Sequence, residues 1–539
     1  MLDIAIKNGT VIDGTGRLRY DADVGISGGK IETIGRLENA EAARTIDATG
    51  LIVAPGFIDM HSHSDMSMYG DPGGESKAFQ GITTEVTGNC SYSPFPIAPG
   101  GKADFRIGSL GWPEEWEWTD LDGWANAHES RGISLNIAPQ LGQAALQIAV
   151  GAIEERPVTP DQMREMQRLA AESVEQGAFS LSTGLSLSPS GYMSTDEVAA
   201  LCQAVAHYDG VFYVTHSRFG AGKHVSAIEE AVEIGRKAGV PVHYSHLAII
   251  AKPDLGGWRK PQDRRGHGYE MLEVFENARK EGMDMTYDSY PYTAAMGDLD
   301  QSVPNWAQAG GIDAYMARLK DPETRARIRE EVAAGLGGVP PMWDTGAIAS
   351  VQTEANRGLI GRSIADIAAE RGVEPAEAVL QIEEEERSAV ASVGHGRVER
   401  DVRYFLSHPI GMFGSDGIAI SPTGIHKDEQ IHPRFYGTYP RILGRYVREQ
   451  SLMSLETAVQ KSTWMPADRL AIKDRGRVEE GLVADLVVFN PKTIIDNATY
   501  EQPHQLSQGI QHLLVNGVPV ITDGSHTQAR AGRVLRRGG

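Results

Sequence analysis

The chain has 539 residues, 41% of them hydrophobic, and a formal net charge of -21 at pH 7. That length allows more than one domain and a large buried core. The acidic balance argues against a nucleic acid or an anionic membrane surface as partner, since both need clustered Lys and Arg, so a small-molecule partner is expected.

The opening Met1-Leu-Asp-Ile-Ala-Ile-Lys-Asn-Gly alternates apolar and polar residues, which predicts a strand and not a signal peptide. Short alternating runs continue to residue 50, broken by Asn8-Gly9 and Gly28-Gly29, the pattern of hairpins. Residues 484–490 and 513–521 repeat it at the far end. Chain ends commonly lie close together, so 1–54 and 471–539 are expected to form one small β-sandwich beside a central unit at 55–470. No stretch is long and apolar enough for a membrane span. Two cysteines, Cys90 and Cys202, fit a reducing, cytoplasmic location. A homo-oligomer is compatible with the sequence but not specified by it.

The central part alternates β-like and helical segments, as a parallel sheet with crossover helices does. Eight strands are predicted, at 56–63, 82–89, 134–139, 179–183, 211–216, 241–246, 283–290 and 410–416, the number that closes a (β/α)8 TIM-like barrel. Helices are predicted at 196–208, behind the N-cap pair Ser194-Thr195, and at 225–238 and 269–279. The span 297–400 is too long for a loop and mostly helical in pattern, so it is expected to be an insertion before the last strand, shaped as a lid. Trp112, Trp116, Trp118 and Trp124 predict an aromatic packing cluster.

Barrels carry their chemistry at the carboxyl ends of the strands. Those ends present His61 and His63 on strand one, Cys90 on two, His216 on five, His246 on six and Asp416 on eight. His61 and His63, two apart in extended chain, point to one side and can share a metal ion. Any one of these residues could be an ordinary core or turn residue. Metal-competent groups on five of eight strand ends are poorly explained that way. A carboxylate at Asp416 suits proton transfer to and from a metal-activated water. Cys90 could bridge two ions as a thiolate, whereas Cys202, on the apolar face of a helix, fits a buried core thiol. His395 and His426 lie in Gly-rich stretches that could approach the mouth, and ordinary surface or hydrogen-bonding roles explain them equally well.

Nine segments carry a family likeness: Pro55 to Asp65, Gly81 to Cys90, Gly177 to Leu185, Thr215-His-Ser-Arg218, Tyr244-Ser-His-Leu247, Asp288 to Tyr292, Gly414-Ser-Asp-Gly417, His432 to Arg441 and the ending Gly532 to Arg537. Through them the chain resembles the amidohydrolase superfamily, and within it the N-acyl-D-amino-acid deacylase (D-aminoacylase) family. The resemblance implies a zinc-dependent hydrolase of N-acyl-D-amino acids with Asp416 as general base and acid. It implies a tightly held zinc on Cys90, His216 and His246, and a weaker second site of His61, His63, Cys90 and Asp416. Many relatives bridge the metals with a carboxylated lysine on strand four, but this chain has no lysine from residue 103 to 222, and Cys90 is the bridging ligand the family implies. Arg434 and Tyr290 match the residues that hold the substrate carboxylate, a task suited to the guanidinium fork.

Three positions depart from the family pattern: Ala248 stands where a lysine is usual, with Lys252 four residues on; Met296 replaces a serine; and Gly142-Gln143-Ala144 replaces Gly-His-Gly. They keep open a different amide substrate, such as a cyclic amide, a dipeptide or a non-amino-acid amide. A non-catalytic scaffold is a third reading, disfavoured because all six ligand positions are filled.

Overall fold

Strands at both ends of the chain meet in one sheet. The structure, a computed structural model, describes residues 1–98, 116–218, 223–249, 268–335 and 341–538. Leu2–Val11, Tyr20–Ser27, Lys30–Gly35, Ala42–Asp47 and Ile52–Pro55 join Leu486–Phe489, Ile510–Val515, Val518–Thr522 and Ser525–His526 in a nine-stranded sheet. Ile52–Pro55 carries the junction, running antiparallel to Leu486–Phe489. The expected sandwich is therefore one continuous hydrogen-bonded sheet wrapped on its own core. Strand periodicity explains how it docks: Leu486 and Val488 enter that small core, while Val487 and Phe489, on the other face, enter the large core shared with the barrel.

The barrel uses all eight predicted strands: Phe57–Asp59, Ile82–Thr87, Asn136–Pro139 extended by Leu141–Gly142, Ser180–Gly184, Phe212–His216, Val242–Tyr244, Met285–Ser289 and Gly411–Phe413. They form two parallel arcs. Strand three joins the arcs, its first half pairing with strand two and Leu141–Gly142 with strand four. Strand eight closes on strand one: Met60 N donates to Phe413 O at 3.3 Å and Asp416 N to His61 O at 2.8 Å. Several strands end earlier than predicted, because Cys90, His246 and Asp416 adopt positive φ (53°, 35° and 51°), which no strand can continue. The terminal motif lies against strand three, where Arg533 O and Leu535 N bracket Ile137.

Crossover helices follow their caps. Ser194 and Glu197 form a capping box at Thr195–Gln203. That helix ends before the predicted residue 208, as residues 204–206 and 208 bond back three positions instead of four. His224–Ala238 and Gly268–Lys280 match prediction closely.

The insertion has its own apolar core, including Tyr315, Leu319, Ile328, Ile367, Val379 and Leu380. It is not only helical: Ala294–Asp298, Gly346–Ser350 and Ala391–His395 make a three-stranded antiparallel sheet at its root. Their short, small-residue runs gave no strand signal in the sequence. The tryptophans form the expected packing cluster, with Trp116 stacked on Trp118 and Trp124 Nε1 donating to Asp65 O at 3.0 Å; Trp112 lies outside the described residues. No helix among the described residues is long and apolar enough to cross a membrane.

Candidate metal centre

Six side chains converge where the strands end. Cys90 Sγ lies 3.3 Å from His61 Nε2 and 3.4 Å from His246 Nε2. His216 Nδ1 is 2.9 Å from His246 Nε2, and Asp416 Oδ1 is 3.2 Å from His63 Nε2 and 3.6 Å from His61 Nε2. Two overlapping groups result, His61–Cys90–His246 and His61–His63–Asp416, with ligand atoms within 4.8 Å of one another. Donors about 2.0–2.3 Å from one tetrahedral ion sit roughly 3.3–3.8 Å apart. The 3.3 Å and 3.4 Å contacts of Cys90 with His61 and His246 therefore fit an ion, whereas His216, outside both groups, meets His246 at a hydrogen-bonding 2.9 Å that an ion between them would widen.

The local backbone holds this arrangement at a conformational cost. Three of the six residues occupy the left-handed region, where non-glycine residues persist only if their surroundings enforce it. The enforcing contacts are polar and buried. Asp288 Oδ1 accepts His246 N at 2.9 Å, while Oδ2 lies 3.0 Å from His243 Nε2 and 3.4 Å from His61 Nδ1. Asp59 accepts Ser415 N at 2.7 Å and Lys77 Nζ at 2.7 Å, and Lys77 also reaches Glu85 at 2.9 Å and Ser415 Oγ at 2.7 Å. Strand four supplies no metal-competent side chain; its Ser182 Oγ accepts Ser91 N at 3.0 Å and steadies the turn at Cys90. Ser186 Oγ lies 2.6 Å from His216 Nε2.

Burial alone would keep the Cys90 thiol protonated, but His61 and His246 outweigh it and hold the thiol well below its ordinary range. Burial likewise opposes charge on His61, yet Asp288 and Cys90 raise it well above its usual value. His63, opposed by burial but held by Asp416 and Cys90, is pushed up to about 9. Asp416 stays well below the usual carboxylate range despite burial, because Arg434 and His63 face it. A thiolate, imidazoles and a carboxylate within reach of one point are a donor set suited to zinc, and a cation there takes the place of the protons on these histidines.

The wall beside Asp416 is cationic and aromatic. Arg434 Nη1 is 2.9 Å from Asp416 Oδ2, Nη2 donates to Met296 O at 3.1 Å, and its backbone N donates to His432 Nδ1 at 2.9 Å. Its guanidinium carbon lies 4.8 Å from the Tyr290 ring centre. Tyr290 is fully buried, yet its hydroxyl has no hydrogen-bond partner among the described residues.

The remaining candidates stand apart. Gln143 is buried and bonded to Ser190 and Gln147, a packing role. Ala248 is half-buried, and Lys252 lies outside the described residues. His395 meets Tyr500 edge-on with ring centres 4.7 Å apart, and His426 pairs with Glu429 at 3.1 Å. Cys202 is buried with its thiol pushed up by desolvation, as expected of a core cysteine. Sequence reading missed Asp59, Lys77, Glu85, His243 and Asp288 as supports. An acid within an apolar strand, as at Asp59 and Asp288, was the available signal, since such a group needs a buried partner.

A (β/α)8 barrel whose mouth gathers four histidines, a cysteine and an aspartate defines a metal-dependent hydrolase fold. The chain belongs to the amidohydrolase family, whose model matches residues 44–521. It is 33% identical to an N-acyl-D-glutamate deacylase of Alcaligenes xylosoxydans xylosoxydans, over 99% of this chain and 97% of that protein. A solved D-aminoacylase with a binuclear metal centre superposes with a TM-score of 0.83 at 33% identity, covering 100% of both chains. The N-acyl-D-glutamate deacylase of Bordetella bronchiseptica, solved with zinc and a phosphonate inhibitor mimicking the tetrahedral intermediate, gives 0.82 at 31% identity over 99% of both chains.

Proposed function

We propose that the chain hydrolyses the amide bond of N-acyl-D-amino acids, releasing a carboxylic acid and a D-amino acid. The observation that carries the reading is the contact between the two walls: Asp416 touches His61 and His63 through one oxygen and Arg434 through the other. A substrate carboxylate on Arg434 brings its acyl amide beside Asp416 and the ligand cluster.

Cys90, His216 and His246 are assigned the tightly held zinc, and His61, His63, Cys90 and Asp416 a weaker second site. Bound zinc would supply Lewis-acid polarisation of the amide carbonyl and lower the pKa of water within its reach. Asp416 takes the proton from the attacking water and later delivers it to the amide nitrogen as the C–N bond breaks. Arg434 and Tyr290 fix the carboxylate, the arginine by its fork and the tyrosine through a hydroxyl with no other protein partner among the described residues. A substrate carboxylate competes with Asp416 for Arg434, which frees the base as the substrate binds. The D configuration is carried over from the relatives' substrates. Two unpaired cysteines support a cytoplasmic location.

Zinc-loaded protein assayed on paired N-acetyl-D and N-acetyl-L amino acids, with a cyclic amide alongside, tests the reading. Turnover of the D series is expected. No turnover of any acyl amino acid would overturn it, and hydrolysis of the cyclic amide in its place would favour the different-amide reading.

A further inference from the structure

Arg397 was not among the residues singled out by sequence. It lies in the short link between the strand Ala391–His395 and the helix Glu399–Ser407, where its backbone N donates to Thr293 O at 3.0 Å. That bond ties the end of the insertion to the segment just after strand seven, beside Tyr290. The Arg397 guanidinium carbon lies 4.0 Å from the Tyr290 ring centre, the same ring that Arg434 meets at 4.8 Å. One aromatic ring thus carries two arginines.

The charges there do not balance. Asp416 pairs with Arg434. Among the described residues no carboxylate forms an ion pair with Arg397, and its buried Nε has no hydrogen-bond partner. Stacking on Tyr290 recovers part of the cost of desolvating a guanidinium, but the ring is shared, and like charge sits beside like charge. Burial pushes the group below its ordinary value; Tyr290 resists, Arg434 adds to the push, and Asp416 and Tyr500 offset it only in part. Arginine nevertheless remains charged at neutral pH. A substrate with one carboxylate satisfies Arg434 and leaves Arg397, which Asp416 reaches only through space, without an ion-pair partner among the described residues.

We propose that Arg397 is a second carboxylate-binding residue, and that the substrates favoured are N-acyl-D-amino acids with an acidic side chain, of the aspartate or glutamate type. The proposal rests on the deacylase reading above and names its substrate class. Both arginines pack on one ring, so the carboxylates they hold belong to groups only a few bonds apart. The α and side-chain carboxylates of one amino acid meet that condition. A carboxylate on the acyl group lies across the scissile amide, on the side of the ligand cluster. The insertion thereby acquires a role, since it delivers Arg397 to the barrel mouth.

The test compares zinc-loaded wild type, R397Q and R397K on N-acetyl-D-glutamate, N-acetyl-D-aspartate, N-acetyl-D-leucine and N-succinyl-D-leucine. In wild type, kcat/KM for at least one acidic substrate exceeds that for N-acetyl-D-leucine by about 10-fold or more. In R397Q that ratio falls by about 10–100-fold, mainly through KM, and R397K, which keeps the charge without the fork, falls less. Equal loss on every substrate would make Arg397 a packing residue and overturn the proposal, as would a wild type that prefers the leucine substrate. A preference dependent on Arg397 that appears with N-succinyl-D-leucine in place of the acidic amino acids would overturn the side-chain assignment. Should R397Q not fold, the wild-type ratio and R397K decide. If no acyl-D-amino acid is hydrolysed, the deacylase reading itself fails. Hydrolysis of N-acetyl-D-leucine without any preference sinks this inference alone.

Discussion

The two walls of the barrel mouth are built on opposite rules. On the ligand side the groups that fix the metal-competent residues are engaged, with Asp288 and the Asp59–Lys77–Glu85–Ser415 cluster holding His61, His246 and Asp416 from behind, although Glu85 Oε2 and the Asn89, Ser91 and Ser245 side-chain oxygens beside them have no partner among the described residues. On the proposed substrate side the Tyr290 hydroxyl and the Nε atoms of Arg397 and Arg434 are buried without hydrogen-bond partners among the described residues. A metal site must be pre-organised, because wrongly placed ligands forfeit affinity, and its supports are part of it. A specificity site must keep polar groups that only the ligand will satisfy, since those groups reject molecules that cannot pair with them.

Breaking the ligand side should have the largest effect. Cys90→Ala removes the only thiolate in the cluster; zinc content by elemental analysis should drop and activity should fall by at least ~10³-fold, several kcal/mol of lost transition-state stabilisation. Asp416→Asn should separate proton transfer from metal holding: kcat falls by ~10²–10⁴-fold, while the metal on Cys90, His216 and His246 is retained. Lys77→Met tests the support layer. It leaves Asp59 and Glu85 as uncompensated buried charges, so chemical denaturation should report a loss of about 3–5 kcal/mol. A loss under about 1 kcal/mol would mean that the cluster is not what fixes the Asp416 turn. Tyr290→Phe probes the other rule and should do least: no protein hydrogen bond is lost, so stability stays within roughly 0.5 kcal/mol. Activity on N-acetyl-D-amino acids should nevertheless fall several-fold.

The same division explains what the sequence made legible. Eight strand positions could be read because parallel barrel strands are apolar runs ending in polar residues, and His61, Cys90, His216, His246 and Asp416 sit at those ends. The supports were hidden, because pairing Lys77 with Asp59 and Glu85, or His243 with Asp288, depends on how crossover segments pack and not on local spacing. Arg397 was hidden for a related reason. It follows a small-residue strand, Ala391–His395, that carries little pattern of its own, and only the three-stranded sheet at the root of the insertion brings it to Tyr290.

Titrating zinc into chelator-stripped protein while following hydrolysis of an N-acetyl-D-amino acid tests the central claim most directly. Activity should be absent without metal and rise to its maximum as the first equivalent binds. Full activity in stripped protein, or zinc binding that restores no hydrolysis, would contradict the account.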